Sequence, residues 1–240
     1  MMIIDAKGIP FRELNAKLHE TDSKEILIEG CMGQRYIANG LKDKHVTVRG
    51  TPGNALGAYM DGATVDVERN AQDATGDTMN DGCIIVRGSA GDATGYSMRG
   101  GKIYVRGDTG YRCGVHMKAY ADKVPLIVVG GRAGSFVGEY QAGGEIYVLG
   151  LNTGVNTPVG YFCGTGIHGG AIYLRASELP PDLPAQVKAS QAQKKDMEHI
   201  AAQLKEYCTL FNLDMNEILN HKFYVLRADT ANPYRQMYIH

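Results

Sequence analysis

Val46-Thr47-Val48-Arg49-Gly50-Thr51-Pro52-Gly53-Asn54-Ala55-Leu56-Gly57-Ala58-Tyr59-Met60 returns in outline every nineteen residues. Val48, Val67, Val86 and Val105 keep that step, as do Gly57, Gly76, Gly95 and Gly114, and Met60, Met79, Met98 and Met117. Three residue types holding one register mark a solenoid, in which each repeat is a turn laid on the last. Nineteen residues are too few for a strand, a crossover helix and loops, which need about 30. Each repeat opens instead with a short alternating segment: Val46–Arg49, Val65–Glu68, Ile84–Arg87 and Ile103–Arg106. Alternation of this kind is a strand with one buried face. The pattern predicts an all-β chain coiled as a parallel β-helix, with like strands about 4.8 Å apart. Its hand follows the right-handed chirality of parallel crossovers. The valines then form one interior ladder and the methionines another, while glycines turn corners that need positive φ or close backbone approach.

The pattern runs outward in both directions. Ile26-Leu27-Ile28-Glu29-Gly30 reads as an earlier turn, and Val128, Val148 and Leu174 as later ladder positions, at steps of 23, 20 and 26. The long steps place insertions at Lys118–Pro125 and Leu151–Pro158, and solenoid insertions map to loops. Three parts result. Residues 1–25 form an N-terminal cap with a short helix from Phe11 to His19, Pro10 favouring its start. Residues 26–175 form the coil. Residues 176–240 form a helical tail: a proline-rich joint, Leu179–Pro184, precedes an apolar stripe of Met197, Ile200, Ala201, Leu204, Cys208 and Phe211 at helical spacing. A shorter helix near Asp214 and a strand at Phe223–Leu226 follow. Open solenoid ends need cover, so both appendages read as caps.

Composition excludes several classes. The 31 glycines sit at repeat positions, and 25 basic against 26 acidic residues give a net charge of -1. That leaves no basic field for nucleic acid. Five cysteines without a CxxC pair suggest reduced thiols in a cytoplasmic protein. No apolar run approaches the ~18 residues of a membrane span.

The outward residues Arg49, Glu68, Arg87 and Arg106 form a column that reads more readily as a surface charge ladder than as an anion strip. Cys113 and His116, and Cys163 and His168, lack the ligand quartet of a zinc site. The glycine runs Gly130–Gly134 and Gly164–Gly170 lack the following helix that a phosphate loop requires. No nucleophile elbow, HExxH or Walker motif occurs, and the acidic residues show no column of their own. Gly110–Tyr120 stands out by carrying Tyr, Arg, His and Lys where earlier turns are small. It reads either as a bulky last turn or as a docking surface or tunnel wall beside the first insertion.

Several motifs carry a family resemblance: Gly30-Cys-Met-Gly33-Gln-Arg-Tyr36, Asp77-Thr-Met-Asn-Asp-Gly82, Gly110-Tyr-Arg to His116-Met-Lys118, Gly138-Glu-Tyr140, Val148–Asn152 and Gly164-Thr-Gly166 to His168-Gly-Gly170. Over about residues 25–175 the chain resembles the glycine-rich (GXGXG) β-helix domain of the glutamate synthase large subunit. The tail Asn232–Tyr238 is similar to that of stand-alone versions. Gln141 and Ile167 depart from the methionine that the family favours, and Arg69-Asn70 replaces a turn glycine. The resemblance implies a non-catalytic structural subunit with no catalytic, cofactor or metal residue of its own. Its implied partners are a glutamine-hydrolysing amidotransferase and an FMN- and iron–sulfur-containing synthase, with FMN and Fe-S on those partners. Arg112, His116, Lys118, Tyr140 and His168 are the candidate docking or tunnel-facing residues. Self-association stays open beside these partners, as does the amination reaction. A second reading is the β-helix component of a formylmethanofuran dehydrogenase complex, which shares the glycine-rich coil. A free-standing hydrolase is disfavoured by the lack of a nucleophile motif.

Overall fold

Nine strands follow one another in parallel: β1 (Met2–Asp5), β2 (Glu25–Met32), β3 (His45–Thr51), β4 (Asp61–Val67), β5 (Asp81–Val86), β6 (Lys102–Val105), β7 (Leu126–Val129), β8 (Ala142–Val148) and β9 (Gly169–Arg175). Two more, β10 (Val187–Gln191) and β11 (Phe223–Ala228), close the sheet antiparallel in the order β9-β11-β10. This computed structural model describes residues 1–151, 153–154 and 156–229. Among the described residues the chain is mostly β, built on one eleven-stranded, mostly parallel sheet in which successive solenoid-like turns stack.

The stacking extends beyond the strands. In the turns, Ala55 N donates to Asp73 O at 2.9 Å, Ala74 N to Asp92 O at 2.8 Å and Ala93 N to Tyr111 O at 2.7 Å. Side chains add rungs: Asp73 Oδ1 accepts from Asp92 N at 2.9 Å, and Asp92 Oδ1 accepts from Tyr111 N at 2.8 Å. Asn70, standing in place of a turn glycine, accepts from Ser89 N at 2.9 Å through its side-chain amide. Backbone polar groups that a corner would otherwise leave unpaired are thus satisfied by the neighbouring turn.

Val48, Val67, Val86 and Val105 are fully buried, and so are Met60, Met79, Met98 and Met117. The methionine column continues through Gln141 and Ile167, also buried, whose amides close the same turn onto Gly138 and Gly164. Gln141 fits an apolar stack because its Nε2 donates to Gly144 O at 2.9 Å.

Four readings from sequence need correction. The ladder residue of β7 is Val129, which pairs with both Val105 and Val148, so the steps are 24, 19 and 26 rather than 23, 20 and 26. Leu126–Val129 is apolar throughout and buried on both faces, so alternation gave no phase. The N-terminal segment does more than cap with helix α1 (Phe11–Glu20): β1 lies in register on β2 as the first sheet strand. Acidic residues do form short columns, Asp61 beside Asp81 and Asp73 beside Asp92. The first column is bridged by Lys123 and the second is used as backbone acceptors.

The tail is the fourth. Besides helices α2 (Lys194–Phe211) and α3 (Met215–Leu219) and the expected strand β11, it holds the strand β10, and α2 lies along the outer face of the sheet. Ile200, Leu204 and Tyr207 pack against Ile85, Tyr104, Val128 and Tyr147. Burying Ile200 and Leu204 contributes about 1.5–3 kcal/mol each. Glu206 anchors the helix through Lys102 and the Tyr104 hydroxyl, and Tyr207 Oη donates to Val105 O at 3.1 Å. β11 meanwhile covers the open edge of β9. The Asn232–Tyr238 motif and Asn152 lie outside the described residues. Among the described residues no helix is long and apolar enough to cross a membrane.

Candidate docking face on the glycine turns

Three alternate residues of each turn take positive φ: Ala55, Gly57 and Tyr59; Ala74, Gly76 and Thr78; Ala93, Gly95 and Ser97; Arg112, Gly114 and His116. The middle one must be glycine for two reasons. A Cβ at Gly76, Gly95 or Gly114 would sit 2.3 Å from the δ-methyl of Ile103, Ile127 or Ile146, and φ there is about +70°. The flanking positions face away from the core, so their left-handed backbone costs about 1–2 kcal/mol each without a clash. Hydrogen bonds to the turns on both sides hold them there.

Three candidate residues occupy these flanking positions: Arg112 (φ 57°), His116 (φ 55°) and Tyr140 (φ 53°). The structure brings them onto one face. The His116 and Tyr140 rings stack at 5.3 Å with 10° between planes, and Tyr96 meets His116 edge-on at 6.0 Å. Arg112 Nε donates to Glu139 Oε2 at 2.9 Å while its guanidinium lies 5.2 Å from the Phe136 ring centroid. Phe136 in turn stacks on Phe162 at 5.2 Å, with Tyr161 beside it. Tyr96, Tyr111, Tyr140, Tyr161 and Phe162 are all exposed. Gly166 makes room for this: a Cβ there would meet Tyr140 Cδ1 at 2.4 Å.

Lys118 is exposed but belongs to the start of the first insertion, bonding Met98 O through its backbone amide. His168 lies beyond Gly166, half-buried, with Nδ1 3.1 Å from Gly166 O. Sequence reasoning missed Phe136, Glu139 and Phe162. Phe136 and Phe162 follow Arg112 by 24 and then 26 residues, so only an alignment carried across both insertions reveals the column.

The thiols face the other way. Cys113 and Cys163 fill the inward slot that holds Leu56, Thr75 and Thr94 in earlier turns, and both are fully buried. Burial pushes the Cys113 thiol up to about 12 and raises that of Cys163 as well. A protonated, enclosed thiol is a packing group rather than a nucleophile, and Cys113 and the exposed His116 form no dyad.

Glycine-cornered turns stacked on a mostly parallel sheet give a mostly β, solenoid-like chain rich in glycine. The family model described as GXGXG motif matches residues 13–228, and the chain belongs to that family. The uncharacterized protein MJ1350 of Methanocaldococcus jannaschii is 44% identical over 250 residues, covering 99% of this chain and 96% of that protein. Among solved structures, a chain of the formyltransferase/hydrolase complex FhcABCD from Methylorubrum extorquens, determined with methylofuran, has a similar fold. The TM-score is 0.62 at 17% identity, covering 91% of this chain and 87% of that one.

Proposed function

We propose that this chain is a right-handed parallel β-helix acting in the cytoplasm as the non-catalytic scaffold subunit of a glutamate-synthase-type complex. Residues 26–175 form its rod, and residues 1–25 and 176–240 are appendages to it. Its partners are an amidotransferase subunit and a synthase subunit that carries FMN and Fe-S. The observation that supports this reading is the clustering of Arg112, His116, Tyr140, Phe136 and Phe162 on the glycine turns. Exposed aromatics with arginine are the composition of interface anchors, and membership of the GXGXG motif family agrees with it. Lys118 and His168 flank this face and extend the contact. A stack of turns tied together by backbone ladders is stiff, and suits holding two active sites at a fixed separation.

A second reading has one observation in its favour, the fold shared with a chain of a formyltransferase/hydrolase complex. There the same face would dock one-carbon enzymes. Co-purification with each set of candidate subunits separates the two. Assembly with the amidotransferase and flavin subunits, weakened when Phe136 and Phe162 are replaced by Ala, supports the first. Assembly with formyl-transfer subunits alone overturns it.

A further inference from the structure

The outward column of charges divides in two. Arg49 pairs with Glu29 at 2.7 Å and with Glu68 at 3.1 Å, and Arg87 takes Asp66 in a two-pronged pair at 2.9 and 2.7 Å. This part is a charge ladder. The later positions of the column, each following Val105, Val129, Val148 and Leu174 in their shared register, are Arg106, Gly130, Leu149 and Arg175. Among the described residues neither Arg106 nor Arg175 meets a carboxylate within 4.0 Å.

Arg175 is the more unusual of the two. Its Nη1 donates to Leu149 O at 3.1 Å, while its Nε is shut off from solvent and has no acceptor. Burial with no anion beside it holds the guanidinium below its ordinary value. Both arginines line one cleft of about 400 Å³ between Leu151 and helix α3, walled by Leu213 and Ile218. Adjoining clefts of about 380 and 400 Å³ bring Lys222 beside Arg175 and Arg132 beside Arg106. His221 lines the first two of these clefts. Three acids lie nearby: Asp214, which accepts from Asn216 N, and Glu217 line the first cleft, and Asp108, which accepts from Arg132 N, lines an adjoining one. Arg106 and Arg175 thus face Asp214 and Glu217 in the first cleft, with Lys222 and Arg132 in the adjoining ones, and among the described residues neither of the two arginines is paired with a carboxylate.

We infer that this cleft binds a small oxyanion, a carboxylate- or phosphate-bearing compound, held between Arg106 and Arg175. The two lie three strand spacings apart, about 14 Å, and the intervening Gly130 and Leu149 carry no charge. A guanidinium offers a planar fork that matches either anion, and the orphaned Nε of Arg175 is the donor such a ligand would satisfy. Capping Leu149 O accounts for one nitrogen of Arg175; it leaves Nε and the unpaired Arg106 unexplained. The site lies on the strand-end column rather than on the aromatic face, and does not depend on the docking proposal.

Isothermal titration of the full chain with inorganic phosphate and with citrate, at constant ionic strength set by sodium chloride, tests this. One saturable site is expected, with affinity about tenfold or more weaker in Arg106→Gln and in Arg175→Lys. Arg49→Gln, which alters the paired part of the column, should bind as the wild type does. Tighter binding of one probe identifies the anion class. Arg106 is only half-buried, so its variant decides the matter if Arg175→Lys fails to fold. Absence of a saturable site for both probes, or unchanged affinity in Arg106→Gln, overturns the proposal.

Discussion

The turns at 54–60, 73–79 and 92–98 and those at 111–117, 135–141 and 161–167 share one backbone and differ in what they display. At the outward left-handed positions the first set carries Ala55, Ala74 and Ala93, with Tyr59, Thr78 and Ser97. The second carries Arg112, Phe136 and Phe162, with His116 and Tyr140. Backbone strain is the same in both, so the bulky residues contribute nothing that the fold requires. Alanine already serves. Side chains that are superfluous to folding, exposed and mutually stacked are where binding is expected, whereas the inward glycines and methionines are where folding is decided.

Substitutions at inward positions test this division most severely. Met98→Asp places an unpaired carboxylate in a closed apolar column and should cost about 4 kcal/mol or more. Circular dichroism melting would then show no cooperative native transition, and a wild-type melting temperature would show that the column is not interior. Gly95→Ala should cost about 3 kcal/mol, from the contact with Ile127 together with the left-handed backbone. Ala93→Gly, two residues away on the same turn, should change stability by less than about 1 kcal/mol. Equal melting temperatures for these two variants would erase the distinction between inward and outward positions.

Outward positions should respond in the opposite sense. The double variant Phe136→Ala/Phe162→Ala should stay within about 1.5 kcal/mol of wild-type stability, the worth of one ring stack. Its binding to partner subunits should weaken by about thirtyfold, as loss of an anchor of about 2 kcal/mol requires. Surface-immobilised binding measurements beside thermal melts would read both quantities. Loss of stability without loss of binding would make the aromatic column a structural element.

The smallest effect belongs to the tail. Asp196 accepts from Gln193 N and pairs with Arg227, which together hold its carboxyl below the ordinary value. A depressed folded value means that the unfolded chain binds the proton more readily, so this contribution is present at neutral pH and is lost as pH falls below about 4. Asp196→Asn should flatten the acid limb of the stability profile below about pH 4. A limb identical to wild type would assign it to other carboxylates.

The nineteen-residue step made the coil, both buried ladders and the sites of the two insertions legible in sequence, because each follows from periodicity alone. Periodicity fails where both faces of a strand are buried. Leu126–Val129 lost its phase for that reason, and the same outer-face burial is what places helix α2 on the sheet rather than over its end. β10 was missed because Val187–Gln191 is short, half-exposed and polar, and is a strand only through pairing with β11. On the aromatic face, Arg112 stood out by size against the alanines of earlier turns, and His116 and Tyr140 against Thr78 and Ser97. Phe136 and Glu139 did not, since their partners are reached only after loops of unequal length are removed. The unpaired state of Arg106 was invisible because the column continues as Gly130, Leu149 and Arg175 rather than as charges at constant spacing.

Ladders that tie each turn to the next also make the length of this molecule a counted quantity. Removing residues 70–88, one whole repeat, would join equivalent ladder positions and leave every column in register. The ends of the coil would then draw together by one strand spacing, about 4.8 Å, with Ile85 lost from beneath helix α2 and the aromatic turns unchanged. Separation between whatever docks at the two ends therefore changes in whole steps by gain or loss of repeats, and not by gradual deformation.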